Sequence, residues 1–141
     1  MRDLAEKLRG LEQALAEEKG PFNLFALFLR EGAPGVWDLV VAAEWIDDED
    51  QDQALIGLSK RVRAYLRPDE IMKISRVVIV ETANPGVKDI AATVPVRHGL
   101  AEVANRSFFG LEIKHGFVVT AQVISPPSKV SLRAAVAGGR R

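Results

Sequence analysis

The N-terminal segment carries leucines at helical spacing. Four of them recur three or four residues apart: Leu4, Leu8, Leu11 and Leu15. This spacing predicts an amphipathic helix over residues 1–18. Gly10 interrupts the pattern and costs about 1 kcal/mol relative to alanine, so we expect the helix to depend on tertiary or intersubunit packing. Gly20 and Pro21 predict its end.

Two extended segments follow, and together they predict a hairpin. Residues 22–30 (FNLFALFLR) are apolar at both odd and even positions, which is typical of a strand covered on both faces. Residues 31–35 contain two glycines and a proline, a strong turn signal. Residues 36–46 (VWDLVVAAEWI) return as a second strand, so we expect an antiparallel pair.

The rest of the chain alternates between helical and extended patterns. A helix is predicted after residue 52, and a short helical turn is predicted to begin at Pro68. The β-branched segment 76–81 (RVVIVE) predicts a central strand, and residues 87–94 predict a short helix. Residues 103–124 predict a second hairpin that turns at residues 114–116. The apolar face of the longer helix is predicted to be Leu55, Leu58, Val62, Tyr65 and Leu66.

These elements predict the fold class α+β. We expect a single mixed β-sheet of about five strands with two main helices and short extra helical turns, in the order α-β-β-α-β-(α)-β-β. Residues 1–125 form the predicted domain. Residues 126–141 contain four basic side chains and no acidic one. We therefore predict a basic, flexible C-terminal tail.

Composition excludes several kinds of chemistry. The chain has no cysteine, which removes disulfides, thiolate nucleophiles and Cys-ligated metal sites. Its N-terminus lacks the pattern of a signal peptide, and no apolar stretch approaches the roughly 20 residues that span a bilayer. We therefore expect a cytoplasmic protein with no membrane partner.

The charges are unevenly distributed although the net charge is zero. Residues 1–70 contain nine Lys or Arg and fifteen Asp or Glu, whereas residues 71–141 contain ten and four. Either the two halves pack together and neutralise each other, or a dipolar surface steers a charged partner or a second copy of the chain.

The acidic segment 47–52 (DDEDQD) has the spacing of a calcium loop that begins at Asp48. Such a loop requires glycine where the chain has Gln53, and a bidentate glutamate where it has Ser59. We therefore predict that these carboxylates cap the following helix, whose dipole favours negative charge at its N-terminus.

Asp38 and Glu44 share one face of the predicted second strand. Six residues at about 3.3 Å each place them roughly 20 Å apart, whereas paired catalytic carboxylates lie roughly 5–10 Å apart. They therefore do not form a catalytic pair. A partner for either carboxylate has to come from a neighbouring strand.

An E-x-K triplet, Glu112-Ile113-Lys114, follows Asp89 in the second half of the chain. This pattern resembles the PD-(D/E)xK nucleases, and the helix–hairpin–helix–strand order of residues 1–82 is similar to the core of that fold. The resemblance implies that Asp89, Glu112 and Lys114 are catalytic candidates that hold magnesium and orient water. The triplet lies outside residues 1–82, so this alternative includes an inactive relative.

Basic residues supply the candidates for binding. Three of them recur along the predicted helix and its end, and a fourth lies in a predicted loop: Lys60, Arg63, Arg67 and Arg97. A phosphate-binding face could be built from them, although interleaved aromatic residues are missing. His98 is a further binding candidate. We expect both His98 and His115 to be surface loop residues, because each adjoins a glycine.

These patterns favour a small non-enzymatic interaction or accessory module that acts as a homodimer. The first strand is apolar on both faces and the first helix depends on packing, so a second subunit would complete the core. One alternative is a nucleic-acid-associated domain related to the PD-(D/E)xK nucleases. A third hypothesis is a small-molecule-binding module that uses Trp37, Trp45, Arg97 and His98. The sequence predicts no metal and no cofactor.

Overall fold

The computed structural model describes residues 1–32 and 35–124. Within them the helices are α1 (Arg2–Lys19), α2 (Glu44–Asp47), α3 (Gln51–Tyr65), α4 (Pro68–Ile71) and α5 (Pro85–Thr93). The strands are β1 (Leu24–Arg30), β2 (Trp37–Ala42), β3 (Ile74–Ile79), β4 (Ala101–Phe108) and β5 (Leu111–Ala121). None of these helices has the length and apolarity needed to cross a membrane. The predicted C-terminal tail lies outside the described residues.

The strands form one mixed sheet in the order β3-β2-β1-β5-β4. β1 pairs antiparallel with both β2 and β5, and β4 pairs antiparallel with β5. β3 pairs parallel with β2, and α3 lies in the crossover connection that a parallel pair requires. The described part of the chain therefore confirms the predicted α+β class, the single five-stranded sheet and the order of its elements.

β1 lies at the centre of the sheet because its side chains are apolar on both faces. Phe25 and Leu27 belong to the core on one face, and Leu24, Ala26 and Phe28 belong to the core on the other. The first five residues of β1 are buried, as the continuous apolar pattern predicts.

Helices α1 and α3 cover the first face of the sheet. The four leucines of α1 are buried as predicted, and α3 buries residues of its own: Ala54, Leu58 and Val62. Leu55 and Tyr65 are exposed, so the predicted apolar face of α3 is wrong at these two positions. The Asp50 carboxylate accepts the backbone N–H groups of Asp52 and Gln53, which confirms the predicted acidic cap.

Helix α5 covers only part of the second face. It has nine residues where α1 has eighteen, and its main contacts are with β4 and β5. Val87 and Ile90 are its most deeply buried residues on this face. The side of the face formed by β2 and β3 lies beyond these contacts, and this is where the apolar cavity described below is found.

The second strand is shorter than predicted, because the chain turns into α2 after Ala42. Trp45 fixes this turn. Its ring packs edge-on against Phe22 at a centroid distance of 5.4 Å, and its indole N–H donates to the carbonyl of Gly20 at 2.8 Å. Glu44 therefore starts a helix and does not share a strand face with Asp38.

The second hairpin turns at Phe109 and Gly110, so the predicted turn at residues 114–116 is wrong. Gly116 lies inside β5, beside the ring of Phe28. A Cβ atom at residue 116 would lie only 2.7 Å from Cδ1 of Phe28. The glycine therefore marks a close approach between two strands rather than a turn.

β3 is an edge strand, so its prediction as a central strand is wrong. Its apolar pattern is continuous because both of its faces pack against a core. Ile74, Val77 and Ile79 contact the core of the first face, and Val78 contacts that of the second. Apolar side chains that pack on both faces give an edge strand the same pattern as a central one.

Candidate functional site

The predicted basic candidates are spread over three parts of the chain. Lys60 and Arg63 are exposed on α3, whereas Arg97 is exposed in the segment between α5 and β4. Arg67 precedes α4 and donates to both carboxylate oxygens of Asp69 at 3.1 Å. These hydrogen bonds raise the pKa of Arg67 and lower that of Asp69. The charge of Arg67 is thus balanced by Asp69, which leaves Lys60 and Arg63 as the binding candidates on α3.

The nuclease candidates lie on different elements. Asp89 is exposed on α5, and Glu112 and Lys114 are exposed on β5. Within residues 1–32 and 35–124, no three His, Asp or Glu side chains lie close enough together to hold a metal ion. The catalytic roles implied by the resemblance therefore stay a prediction.

His115 lies inside β5, so its prediction as a loop residue is wrong. Its ring centroid is 4.9 Å from that of Phe117 and 5.5 Å from that of Trp37. Its Nε2 lies 2.6 Å from a carboxylate oxygen of Glu102 on β4. This hydrogen bond lowers the pKa of Glu102, and an ion pair with Arg2 lowers it further.

A polar cluster that the sequence did not reveal surrounds Glu12. This side chain is fully buried on α1. Its Oε1 lies 2.6 Å from Nδ1 of His98, and its Oε2 accepts the hydroxyl of Thr120 at 2.9 Å. The backbone N–H of His98, a residue with a φ of 50°, donates to the same hydroxyl oxygen at 3.1 Å. The cluster joins α1 to the loop before β4 and to β5.

The order of these groups does not fit nucleophilic catalysis. In a nucleophile–histidine–carboxylate relay the histidine lies in the middle and takes the proton of the nucleophile. Here the Glu12 carboxylate lies between His98 and Thr120, and the hydroxyl donates to the carboxylate. The cluster therefore satisfies a buried carboxylate, which would otherwise be strongly destabilising. One feature of the sequence indicates that Glu12 is buried. It follows Leu8 by four residues and precedes Leu15 by three, on the inward face of the helix.

A groove of about 290 Å³ lies between α1 and α3 and includes Trp45. Glu18 and Arg61 at its rim form two hydrogen bonds of 2.9 Å, which lower the pKa of Glu18 and raise that of Arg61. Lys19 lies 5.8 Å from the centroid of the Trp45 ring. Glu18 and Arg61 neutralise each other, so this pair gives the groove no preference for a charged ligand.

A second cavity, of about 150 Å³, lies on the second face of the sheet beside β2 and β3. We call it the apolar cavity, because its walls are mostly aliphatic and aromatic. Its main apolar lining consists of Phe28, Val40, Val78, Val80, Phe109 and Ile113. Its charged lining residues are Arg30, Asp38 and Arg76.

Asp38 is the centre of the ion-pair network in this cavity. Its side chain is 6 % exposed and lies on β2, between the strands that carry the two arginines. Nε of Arg30 donates to Oδ2 at 2.8 Å, and Nε and Nη2 of Arg76 donate to the two oxygens at 3.2 and 3.3 Å. Two guanidinium groups against one carboxylate leave one positive charge in excess. The partners of Asp38 do come from the neighbouring strands, β1 and β3. They can be identified only once the register of strand pairing is known.

Phe109 lines the cavity and has an unusual backbone conformation. Phe109 and Gly110 have φ values of 57° and 73° and form a two-residue turn between β4 and β5. Positive φ at both positions favours Asn-Gly, and a bulky residue there costs roughly 1–2 kcal/mol. The Phe109 ring lies against Gly86 at the start of α5, where a Cβ would be 2.4 Å from the ring. The absence of a side chain at Gly86 leaves room for the Phe109 ring, which forms one wall of the cavity.

The outer edge of β3 has no pairing partner within the described ranges. The N–H of Val80 donates to the carbonyl of Val41 on β2. Because alternate residues of a parallel strand face the partner strand, Val77 and Ile79 direct their backbone groups outward. Edge strands are usually protected by charges, proline or bulges. The one charged side chain of β3, Arg76, is engaged in the ion-pair network instead.

Both apolar and polar residues surround this open edge. Met72, just before β3, is 82 % exposed. Ser59 and Arg63 of α3 line a shallow groove with the first residues of β3. We use the term β3 edge for β3 together with Met72.

Comparison of the chain with protein-family models, with curated proteins and with solved structures found no match. Its function is therefore inferred from the geometry of its own residues.

Proposed function

We propose that this protein is a small non-enzymatic module that self-associates, with two copies pairing through the β3 edge. The observation that supports the proposal is an open, β-branched edge strand whose only charge is paired within its own subunit. A twofold axis perpendicular to the sheet sets two β3 strands antiparallel, and the sheet then continues from one copy into the other.

Such pairing would satisfy the outward backbone groups of Val77 and Ile79. Each hydrogen bond contributes about 0.5–1.5 kcal/mol, and each cross-strand pair of side chains contributes about 0.2–1 kcal/mol. Strand pairing alone buries less than the roughly 1,000 Å² of a stable interface. Met72 lies just before the strand, is exposed and would enlarge the buried area.

The test uses one chemical change at two exposed serines. Ser75 lies on β3 and Ser107 lies on β4, and both side chains are exposed. Lysine on an edge strand opposes pairing because its charge would have to be desolvated. We expect Ser75→Lys to shift the protein towards a 15.4 kDa monomer and Ser107→Lys to leave the dimer intact, as measured by sedimentation equilibrium.

Two results would contradict this proposal. A monomer mass for the unmodified chain at micromolar concentration would remove self-association altogether. A dimer that is disrupted by Ser107→Lys and not by Ser75→Lys would move the interface away from β3. Circular dichroism of both variants separates a lost interface from a lost fold.

The nuclease-related alternative makes a different prediction. It requires magnesium-dependent cleavage that disappears in Glu112→Ala or Asp89→Ala. Nucleic-acid binding without cleavage would be seen as a salt-dependent mobility shift, because phosphate contacts release counterions. Repeating the shift without residues 126–141 separates binding by the domain from binding by the basic C-terminal segment.

A further inference from the structure

The apolar cavity combines three features that a ligand has to match. Its walls are apolar, its volume is about 150 Å³, and its polar lining carries one excess positive charge. An apolar cavity of roughly this volume accommodates a single benzene-sized ring. Guanidinium groups favour a carboxylate, because their planar donors match its two oxygens.

From these features we propose that the cavity binds a small carboxylic acid with one aromatic ring. The ring lies between Val40, Val78 and Phe109, and the carboxylate faces the arginines beside Asp38. The proposal is independent of self-association, because the cavity is formed within a single copy of the chain.

Arg30 is the residue that holds the carboxylate. It binds Asp38 through Nε, and its two terminal nitrogens have no hydrogen-bond partner within residues 1–32 and 35–124. Arg76 already directs two nitrogens to Asp38. A monoanion also matches the single excess charge of the network, whereas a dianion would exceed it.

Phe109 is the residue that holds the ring. A phenylalanine at a left-handed turn position is hard to explain by the hairpin alone, because asparagine would form the same turn without strain. Gly86 leaves the space that the Phe109 ring occupies. The two residues together keep an aromatic wall at the cavity that the turn itself does not need.

The test is a titration of the full chain with phenylacetate, followed by backbone amide shifts in NMR spectra. We expect saturable shifts that include Val78 and Phe109. Phenylacetamide has the same shape without the charge and should bind at least roughly tenfold more weakly, because it loses the charge-assisted hydrogen bonds. Acetate, which lacks the ring, should give no saturable shift. Equal affinity for phenylacetate and phenylacetamide, or shifts confined to other surfaces, would overturn the proposal.

Two variants test the assigned roles separately. Phe109→Asn gives the turn its preferred residue, so the fold is retained, and we expect roughly tenfold weaker binding of both compounds because the aromatic wall is lost. Arg30→Gln keeps the ion pair of Asp38 with Arg76 and should remove the preference for phenylacetate over phenylacetamide. Val123→Asn changes an exposed apolar residue outside the cavity lining and should bind like the unmodified chain. Unchanged affinity in Phe109→Asn, or an unchanged preference in Arg30→Gln, would contradict the assignment.

Discussion

The two edges of the sheet are protected very differently. Along β4 most side chains are exposed and half are polar, and Arg106 places an exposed charge on this edge. Asn105 has a φ of 55°, but the register between β4 and β5 is continuous across it, whereas the pairing of β2 with β3 has a register shift between Trp37 and Asp38. Along β3 the side chains are mostly β-branched, the pairing with β2 is regular from Asp38 onward, and Arg76 is the only charge.

The difference shows that the composition of an edge strand alone does not determine whether the edge is protected. An arginine is present on each edge strand. Both side chains are exposed, but Arg76 also donates hydrogen bonds to Asp38 on the neighbouring strand. A charge held by a partner within the subunit does not oppose pairing as a solvated charge does. In the proposed dimer, the carboxylate of Asp38 would therefore reduce the protection that Arg76 gives to the β3 edge.

Removing that carboxylate should have the largest effect. Asp38→Asn leaves Arg30 and Arg76 without their charged partner. We expect the free energy of unfolding to fall by about 2 kcal/mol, less than for a fully buried pair because both arginines are partly exposed. Chemical denaturation measures this change. Released Arg76 would also lie on the β3 edge and weaken self-association.

Asp89→Asn is the matched control, since it makes the same change at an exposed carboxylate of α5. Its unfolding free energy should stay within about 0.5 kcal/mol of the unmodified chain. Equal effects of the two substitutions would show that the ion-pair network does not stabilise the fold.

Blocking the backbone of one edge should have the next largest effect. Proline at residue 77 removes an N–H that points away from β2, so the native pairing survives while a new strand is excluded. We expect Val77→Pro to raise the dissociation constant of the dimer at least roughly tenfold, or about 1.4 kcal/mol. Light scattering over a concentration series measures it.

Ser107→Pro makes the corresponding change on β4. Phe108 and Leu111 flank the two-residue turn as a hydrogen-bonded pair. Because alternate residues face the partner strand, the N–H of Ser107 points away from β5. We expect this variant to dimerise normally. Loss of the dimer in Ser107→Pro alone would show that the protected edge is the one that associates.

Lowering the pH should have the smallest effect on stability, and this effect arises from Glu102 on β4. The hydrogen bond with His115, together with Arg2, lowers the pKa of Glu102 below its usual value of 4.5. Glu102 therefore contributes stability above that value, and the contribution is lost as the pH falls through the lowered pKa. Because Glu102 is exposed, solvent screens the interaction and the effect on Tm should be small.

The comparison is between the unmodified chain and Glu102→Gln. We expect a slightly higher Tm for the unmodified chain at neutral pH and no difference once Glu102 is protonated. Self-association should not change with the substitution, because β4 is not the proposed interface. A Tm difference that persists unchanged in acid would mean that Glu102 acts through packing rather than charge.

The sequence predicts the elements of this fold better than their positions in the sheet. Leucine spacing, the acidic cap at Asp50 and the two-faced apolar pattern of β1 all describe local environments, and the structure confirms them. The edge position of β3 was missed because a strand with apolar side chains on both faces gives the same pattern at the centre and at the edge. The turn at Phe109 was missed because a strained aromatic residue there gives no turn signal.

The candidate sites were less predictable, because they depend on register and not on spacing along the chain. Asp38 meets Arg30 eight residues away and Arg76 thirty-eight residues away, and only strand pairing brings them together. Glu12 and His98 are separated by eighty-six residues. Single residues such as His98 could be named from the sequence, but their partners could not.

The buried contact between Glu12 and Thr120 also bears on how the chain is made. The two residues are 108 positions apart, so α1 is synthesised long before the strand that satisfies its carboxylate. Native docking of α1 therefore waits until residue 120 has left the ribosome. During that interval the apolar face of α1 is uncovered in the nascent chain, and uncovered apolar segments are the kind that chaperones bind.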